Sequence, residues 1–219
     1  MTDRLPHTLR SDAQDNRERI LDAARAVFAA DGLHAPMREI ARRAGVGPAT
    51  LYRRFPTKEM LVTEAFMDQM YACHAIVDEG LADLDPWRGF CLVIEKTCAL
   101  HARNHGFTSA FMTAYPHAMD FAAAREYTLT AIAALARRAK DTGRLRPDFV
   151  VDDLILMLMA NGGIHATSPA ARVAASQRFA ALAIQAFRAS SDASPLPPVP
   201  RLAPAVLLPD TAQRPNRVR

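Results

Sequence analysis

Cys98, His101 and His105 are spaced by three and four residues, so on a helix they share one face. A thiolate and two imidazoles on one face could offer three soft ligands to a metal ion. No second cluster supplies a fourth ligand at a recognisable spacing. Histidine in such a place serves equally as a polar group in a pocket or as a satisfied surface residue, so no metal and no cofactor is assigned. Asp152-Asp153 is a carboxylate pair at the start of an apolar run, which the helix macrodipole explains better than acid–base catalysis does. No serine nucleophile elbow, phosphate loop or paired-carboxylate motif is present, which argues against an enzyme. Arg53 and Arg54 offer a different chemistry. An arginine fork can grip O6 and N7 of guanine, worth about 1–3 kcal/mol of discrimination between bases. For each of them the alternative is a phosphate contact or a solvated side chain.

Residues 37–59 position those arginines. Ile40, Ala41 and Ala44 share one face of a short helix, Met37 to Ala44. Gly45 follows, where a helix ends on a residue of positive φ. Val46 plugs the angle to a second helix, opened by Pro48 at a position that needs no N–H. Leu51 and Phe55 point back at Ile40 and Val46, and Pro56 closes the helix. Thr57 with Glu59 reads as the cap of a third. Two short helices on a tight glycine turn form the unit that places its second helix in the DNA major groove. Gly47, Pro48, Ala49, Thr50, Tyr52, Arg53 and Arg54 then lie outward or at the edge. Gly47 and Ala49 are small enough for close backbone approach, and Ala49 can meet a thymine methyl.

The run Arg38-Glu39-Ile40-Ala41, then Ala44-Gly45-Val46, Thr50-Leu51-Tyr52-Arg53-Arg54-Phe55 and Lys58-Glu59 resembles the DNA-binding domain of TetR-like transcriptional regulators, over about residues 15–66. The resemblance implies phosphate contacts from Thr50, Tyr52 and Lys58, and Arg38 is counted with the DNA-contacting residues. It implies a homodimer built by pairing the last two helices with their copies, on a palindromic operator in double-stranded DNA. It also implies a repressor released by a small molecule bound in a second helical domain. An activator, an effector-independent regulator, and an enzyme or metal-binding domain fused to a DNA reader are the alternatives. Ala35-Pro36 departs from the family pattern, which has Thr or Ser as N-cap here. A missing cap costs about 1 kcal/mol, and a hydroxyl that often touches phosphate is absent.

Composition agrees with an all-α fold: half the 219 residues are apolar, aromatics are few and β-branched runs scarce. Residues 1–60 hold eleven Lys/Arg against eight Asp/Glu, and residues 61–189 hold twelve against thirteen. The basic excess therefore sits with the helix-turn-helix and the tail, which suits phosphate contact by one domain and not the other, ordinary scatter of a few charges being the alternative. Cys73, Cys91 and Cys98 form neither a disulfide framework nor a zinc spacing. No signal peptide and no apolar run of membrane-spanning length is present, so a cytoplasmic protein is expected.

Residues 1–14 read as a mobile arm with Arg4 and Arg10, residues 15–59 as the helix-turn-helix domain, and residues 60–190 as a helical ligand-binding and dimerisation domain. The first helix starts near Ala13 or Asn16 and buries Ile20, Leu21, Ala24, Val27 and Phe28. A longer helix follows Pro56 to about His74. Asp85-Pro86 starts a helix that His105-Gly106 ends. Further helices are expected near Thr108–Ala114, Met119–Asp141, Phe149–Asn161 and Pro169–Ser190. The run from Phe149 is apolar almost all round, so a partner subunit is expected to cover one side of it. Residues 191–219 hold seven of the fifteen prolines and read as a disordered tail. Pocket candidates are Trp87, Cys91, Cys98, His101, Phe107, Phe111, Met112, Tyr115, Phe121, Tyr127, Met157 and Asn161. At helical spacing these residue types are more often plain core.

Overall fold

The computed structural model of the chain describes residues 5–112, 119–192 and 194–198. Among them stand nine helices: α1 (Leu5–Asp31), α2 (Met37–Ala44), α3 (Pro48–Arg54), α4 (Lys58–Ala82), α5 (Pro86–Arg103), α6 (His105–Met112), α7 (Met119–Asp141), α8 (Val151–Gly162) and α9 (Pro169–Phe187). The chain is all-α, as its composition predicts. The one β-type pairing among the described residues is an isolated antiparallel bridge between Leu145 and Arg188.

α1 starts earlier than its apolar stripe suggests. It opens at Leu5, so most of the segment read as an arm is helix, although Arg4 lies outside the described residues. Pro6 sits in the first turn, where a missing N–H is no loss, and no glycine intervenes before Gly32 at φ 76°. Ile20, Leu21, Ala24, Val27 and Phe28 are buried, packing with Ile40, Ala41, Leu51 and Phe55 in one core.

α4 is the longest surprise. It runs past His74 to Ala82, and its 25 residues make a rod of about 37 Å. Nothing between Lys58 and Glu79 is glycine or proline, so nothing stops it earlier. The Thr57 hydroxyl caps it by accepting from Met60 N–H at 3.2 Å. Leu61, Val62, Ala65 and Phe66 belong to the helix-turn-helix core, while Val77 belongs to a second core built on α5, α7, α8 and α9.

The boundary between α5 and α6 also differs. α5 ends at Arg103, and His105-Gly106 opens α6 instead of closing α5. The Asn104 amide donates to Leu100 O at 2.9 Å, and Phe107 N–H donates to Asn104 O at 3.0 Å, which makes Asn104 the joint. Gly106 serves close approach. A Cβ there would stand 2.8 Å from Phe66 Cζ and 3.1 Å from Phe28 Cβ. α6 thus lies directly on α1 and α4.

Caps fix the remaining helices. Asp85 accepts from Trp87 N–H at 3.0 Å and Arg88 N–H at 3.2 Å, and Ser168 accepts from Ala171 N–H at 3.1 Å. Asp153 accepts from Val150 N–H at 2.8 Å, which gives the Asp152-Asp153 pair a capping role. On α8, Leu154, Ile155, Met157 and Leu158 are buried, yet Leu156 is 51% and Met159 46% exposed.

α9 stops at Phe187, short of Ser190, because the chain doubles back: Arg146 N–H donates to Phe187 O at 2.9 Å and Ala189 N–H to Arg144 O at 2.8 Å. Ser194–Pro198, read from sequence as tail, is held. Arg146 Nη2 donates to Ser194 O at 3.1 Å, and Leu196 N–H donates to Asp148 Oδ2 at 2.9 Å. No helix of the described residues is long and apolar enough to cross a membrane.

Candidate nucleic-acid interface

The turn before α3 is built as its residues dictate. Gly45 stands at φ 66°, ψ 33°, with its N–H on Arg42 O, and Val46 N–H reaches Ala41 O at 3.0 Å. Arg19 on α1 donates through Nη2 to Ala44 O at 2.6 Å, satisfying an end carbonyl of α2 and pinning the turn. A Cβ on Gly45 would stand 2.7 Å from that same Arg19 nitrogen. Pro36 precedes α2 as its N-cap at φ −73°, and no side chain caps the helix. Pro48 holds the first position of α3, after Gly47.

On this frame the sequence-derived candidates divide. Leu51 and Phe55 are buried, and Thr50 is half-buried at the edge. Gly47, Pro48, Ala49, Arg53 and Arg54 are exposed, Tyr52 is 49% exposed, and Arg38 is exposed on α2. Arg42 is engaged with Glu39 through Nε at 2.9 Å and Nη2 at 2.6 Å. That hydrogen bond holds the Glu39 carboxyl below its ordinary range. Arg38, Arg53 and Arg54 have no such ion pair among the described residues. Their charge is available to a polyanion.

Lys58, expected to contact phosphate, also has a structural task. Its Nζ donates to Leu33 O and His34 O, both at 3.2 Å, so two of its three protons tie the α1–α2 loop to α4. α1 is tied to α4 elsewhere too. Arg17 pairs with Glu64, and Arg25 Nε donates to Ala65 O at 2.8 Å.

A file of rings leads from this domain to α5. Phe28 lies 6.1 Å from Phe66, Phe66 lies 6.2 Å from Phe107, and Phe107 lies 4.9 Å from His101. His101 Nδ1 shares a 2.7 Å hydrogen bond with Thr108 Oγ1, and burial pushes the imidazole pKa down to about 4. His101 also lines a small void between α4, α5, α7 and α8, of about 10 Å³. Cys73, Thr97, Thr128, Leu154 and Ile155 are among its other walls. Thr97 Oγ1 is buried there with no hydrogen-bond partner among the described residues.

The other pocket candidates go elsewhere. Trp87 stacks on Phe90 at 5.9 Å with the Arg188 guanidinium 5.8 Å from its ring centre. Cys91 is half-buried beside it on α5. Tyr127 is 51% exposed and donates to Asp78 at 2.9 Å, so it faces outward. Asn161 is committed to structure: its Nδ2 donates to Cys98 O at 3.0 Å, and its Oδ1 accepts from Ser176 Oγ at 2.7 Å. Met157 lines a groove between α8 and α9, away from the void. Phe107 belongs to the ring file. Phe111 and Met112 end α6 and Phe121 lies on α7, but their side chains are outside the described residues, and Tyr115 is outside altogether. Burial raises the Cys98 thiol to about 12, which keeps it protonated. Among the described residues no three His, Cys, Asp or Glu side chains stand where they could hold a metal; the His105 side chain lies outside them. Thr97, Thr128 and Cys73 were missed because their spacing is that of any apolar helix face.

Residues 20–65 match the family model for bacterial regulatory proteins of the tetR family. The chain is 36% identical over 121 residues to the HTH-type transcriptional repressor KstR of Mycobacterium tuberculosis, covering 54% of this chain and 54% of that protein. It thus spans about half the length of this curated relative. Its fold is similar to that of the ketosteroid transcriptional regulator KstR2 of Mycobacterium tuberculosis, with TM-score 0.61 and 20% identity over 80% of this chain and 95% of the other. It is also similar to that of the transcriptional regulator FadR of Bacillus subtilis in complex with stearoyl-CoA, with TM-score 0.51 and 19% identity over 76% and 97%.

Proposed function

The chain belongs to the TetR family of bacterial regulators, and from that premise we propose that it is a homodimeric repressor whose grip on DNA is released by a small, mostly apolar molecule. Each subunit lays α3 in the major groove of one half of a palindromic operator. The half-sites lie about 34 Å apart, or a multiple of that. Arg53 and Arg54 read base edges, while Arg38, Thr50 and Tyr52 bind phosphate. Gly47, Pro48 and Ala49 let the backbone come close. Lys58 keeps one proton for phosphate and uses the other two to hold the α1–α2 loop.

The observation that carries this reading is the state of the two arginines at the end of α3. Both are exposed and have no ion pair among the described residues, whereas Arg42 one helix away is already neutralised. Two uncompensated charges on the outer face of a braced recognition helix suit a polyanion.

The void lined by Thr97 and His101 is the effector site on this reading. It holds one water at most, so an effector must part its walls. Uncharged apolar walls with hydroxyl and imidazole groups suit an apolar molecule carrying one polar group. KstR2 is named for ketosteroids and FadR was solved with stearoyl-CoA, both molecules with large apolar bodies. The effector acts through its different affinities for the DNA-bound and free states.

The test is selection from a genomic fragment library, followed by protection of the recovered site by Arg53→Ala/Arg54→Ala protein. Loss of specific protection with the dimer intact is expected. A double variant that protects the same operator refutes the assignment of the reading residues.

A further inference from the structure

We infer that Ser194–Pro198 is a strap that forms one wall of the subunit interface and packs against a second copy of the chain. The inference rests on the proposed pairing of α8 and α9 with their copies and adds an element to it.

The strap is anchored by one buried cation. Arg146 is 9% exposed and donates to Asp148 through Nε at 2.5 Å, to Ala186 O at 3.3 Å and to Ser194 O at 3.1 Å. Asp148 in turn accepts from Leu196 N–H at 2.9 Å. One ion pair therefore joins the loop after α7, the end of α9 and the returning chain. That pairing holds the Asp148 carboxyl down to about 2, so the anchor persists across the ordinary pH range.

So pinned, the strap borders a groove. Leu196, Pro197 and Pro198 form one side of an open trough of about 690 Å³, with Leu156, Met157 and Ala160 of α8 and Phe179 and Leu182 of α9 among its other walls. Leu156 is 51%, Met159 46%, Leu182 54% and Leu196 42% exposed. With Val150 they make up five of the ten large hydrophobic side chains exposed among the described residues, and three of them, Leu156, Leu182 and Leu196, border this groove. Such a concentration marks a surface that is covered in use.

The occupant is a second copy because the surface suits itself. The polar walls of the groove are Arg146 and Asp153, and both are already engaged, with Asp148 and with Val150 N–H. A two-fold contact brings each patch onto its own image, and an unanswered charge in it would repel its copy. This groove has none. The outward ridge of α8, Leu156 and Met159, offers the side chains to fill the partner's trough. Pro197 and Pro198 have no N–H, so that stretch of strap needs no donor satisfied when it is covered.

The test is a dilution series by sedimentation equilibrium on the purified full chain, Leu196→Glu, Leu182→Glu, a chain ending at Pro198 and a chain ending at Ser191. Leu196→Glu and the chain ending at Ser191 should each raise the dimer dissociation constant about ten-fold or more, as loss of a packed interface side chain does. The chain ending at Pro198 should match the full chain within about two-fold. Helical content is followed in parallel, and Leu196→Glu, which keeps the backbone anchor, decides the matter if the shorter chain fails to fold. Full-strength dimers of Leu196→Glu, with Leu182→Glu dissociated, overturn the strap and leave the α8/α9 pairing standing. If Leu182→Glu also dimerises as the full chain does, the pairing face itself is wrong and the strap falls with it. Equal weakening of both shortened chains assigns the effect to residues 199–219 and also overturns the proposal.

Discussion

Replacing Gly106 by alanine separates two meanings of that glycine. If it stops a helix, alanine is tolerated or even welcome. If it lets α6 lie on α1 and α4, alanine is an overpacked core. The new Cβ would stand 2.8 Å from Phe66 Cζ, 3.1 Å from Phe28 Cβ and 3.2 Å from the Phe28 carbonyl carbon. Carbon atoms in good contact sit about 3.5–4.0 Å apart. Phe66 has little room to retreat, being 2% exposed with the Phe28 and Phe107 rings beside it, and the Phe28 carbonyl carbon is backbone inside α1. Overpacking of this kind costs about 1–3 kcal/mol. The gain from removing a helical glycine is at most about 0.5–1 kcal/mol. The expected net loss is about 1–2 kcal/mol, read as a lower denaturant midpoint by far-ultraviolet circular dichroism. Wild type and variant must be compared at one protein concentration, because the stability of the proposed dimer would depend on it. A Gly106→Ala protein as stable as wild type, or more so, refutes the close-approach argument.

Gly47→Ala meets nothing within 4 Å, so it should change stability by under about 1 kcal/mol. On the proposed docking its methyl group stands where the loop nears DNA, so operator affinity should drop; unchanged affinity in a salt titration would remove the loop from the interface. Asn161→Ala deletes the bridge between Cys98 O and Ser176 and should lower stability by about 2 kcal/mol. Loss of effector response at full stability would return Asn161 to the pocket instead. His101 has a folded pKa near 4 against 6.5 when free. A histidine depressed in this way contributes its full stability above about pH 6.5 and loses it as pH falls towards 4, up to about 3 kcal/mol. The acid slope of unfolding free energy in that window should flatten in His101→Gln, and an identical slope in both proteins would sink the argument.

The helix-turn-helix was legible because its residues obey local rules. Gly45 must take positive φ, Pro48 needs no N–H, and Leu51 and Phe55 repeat at one helical turn, so each dictates its conformation without help from distant chain. What was lost there is long-range. No local pattern announces that the Lys58 ammonium also holds Leu33 O and His34 O, or that Arg19 holds Ala44 O. The same holds for Gly106. A glycine after an apolar stripe is a stop signal in sequence, and only the rings packed on it show that it serves contact. The strap was illegible for the same reason: Pro-rich composition predicts an extended chain, and the anchor lies in Arg146 and Asp148, about fifty residues earlier.

The proposed effector site was the least legible part, because a helix face that lines a void carries the same residues as one that fills a core. Thr97, Thr128 and Cys73 stand on such faces, and Asn161, which looked polar enough for a pocket, is spent on the helix carbonyl of Cys98. The void closes to about 10 Å³, so on the proposed reading its opening is itself the signal. α4 is where that signal has to pass. Its residues Cys73 and Val77 wall the void, while Leu61, Val62, Ala65 and Phe66 are core to the helix-turn-helix. No proline or glycine lies between the two groups to absorb a kink. On that reading, displacement of the wall is carried along α4 to the end that Lys58 ties to the α1–α2 loop. If α4 is that link, effector and operator need not touch to compete, because each would favour its own position of one unbroken helix.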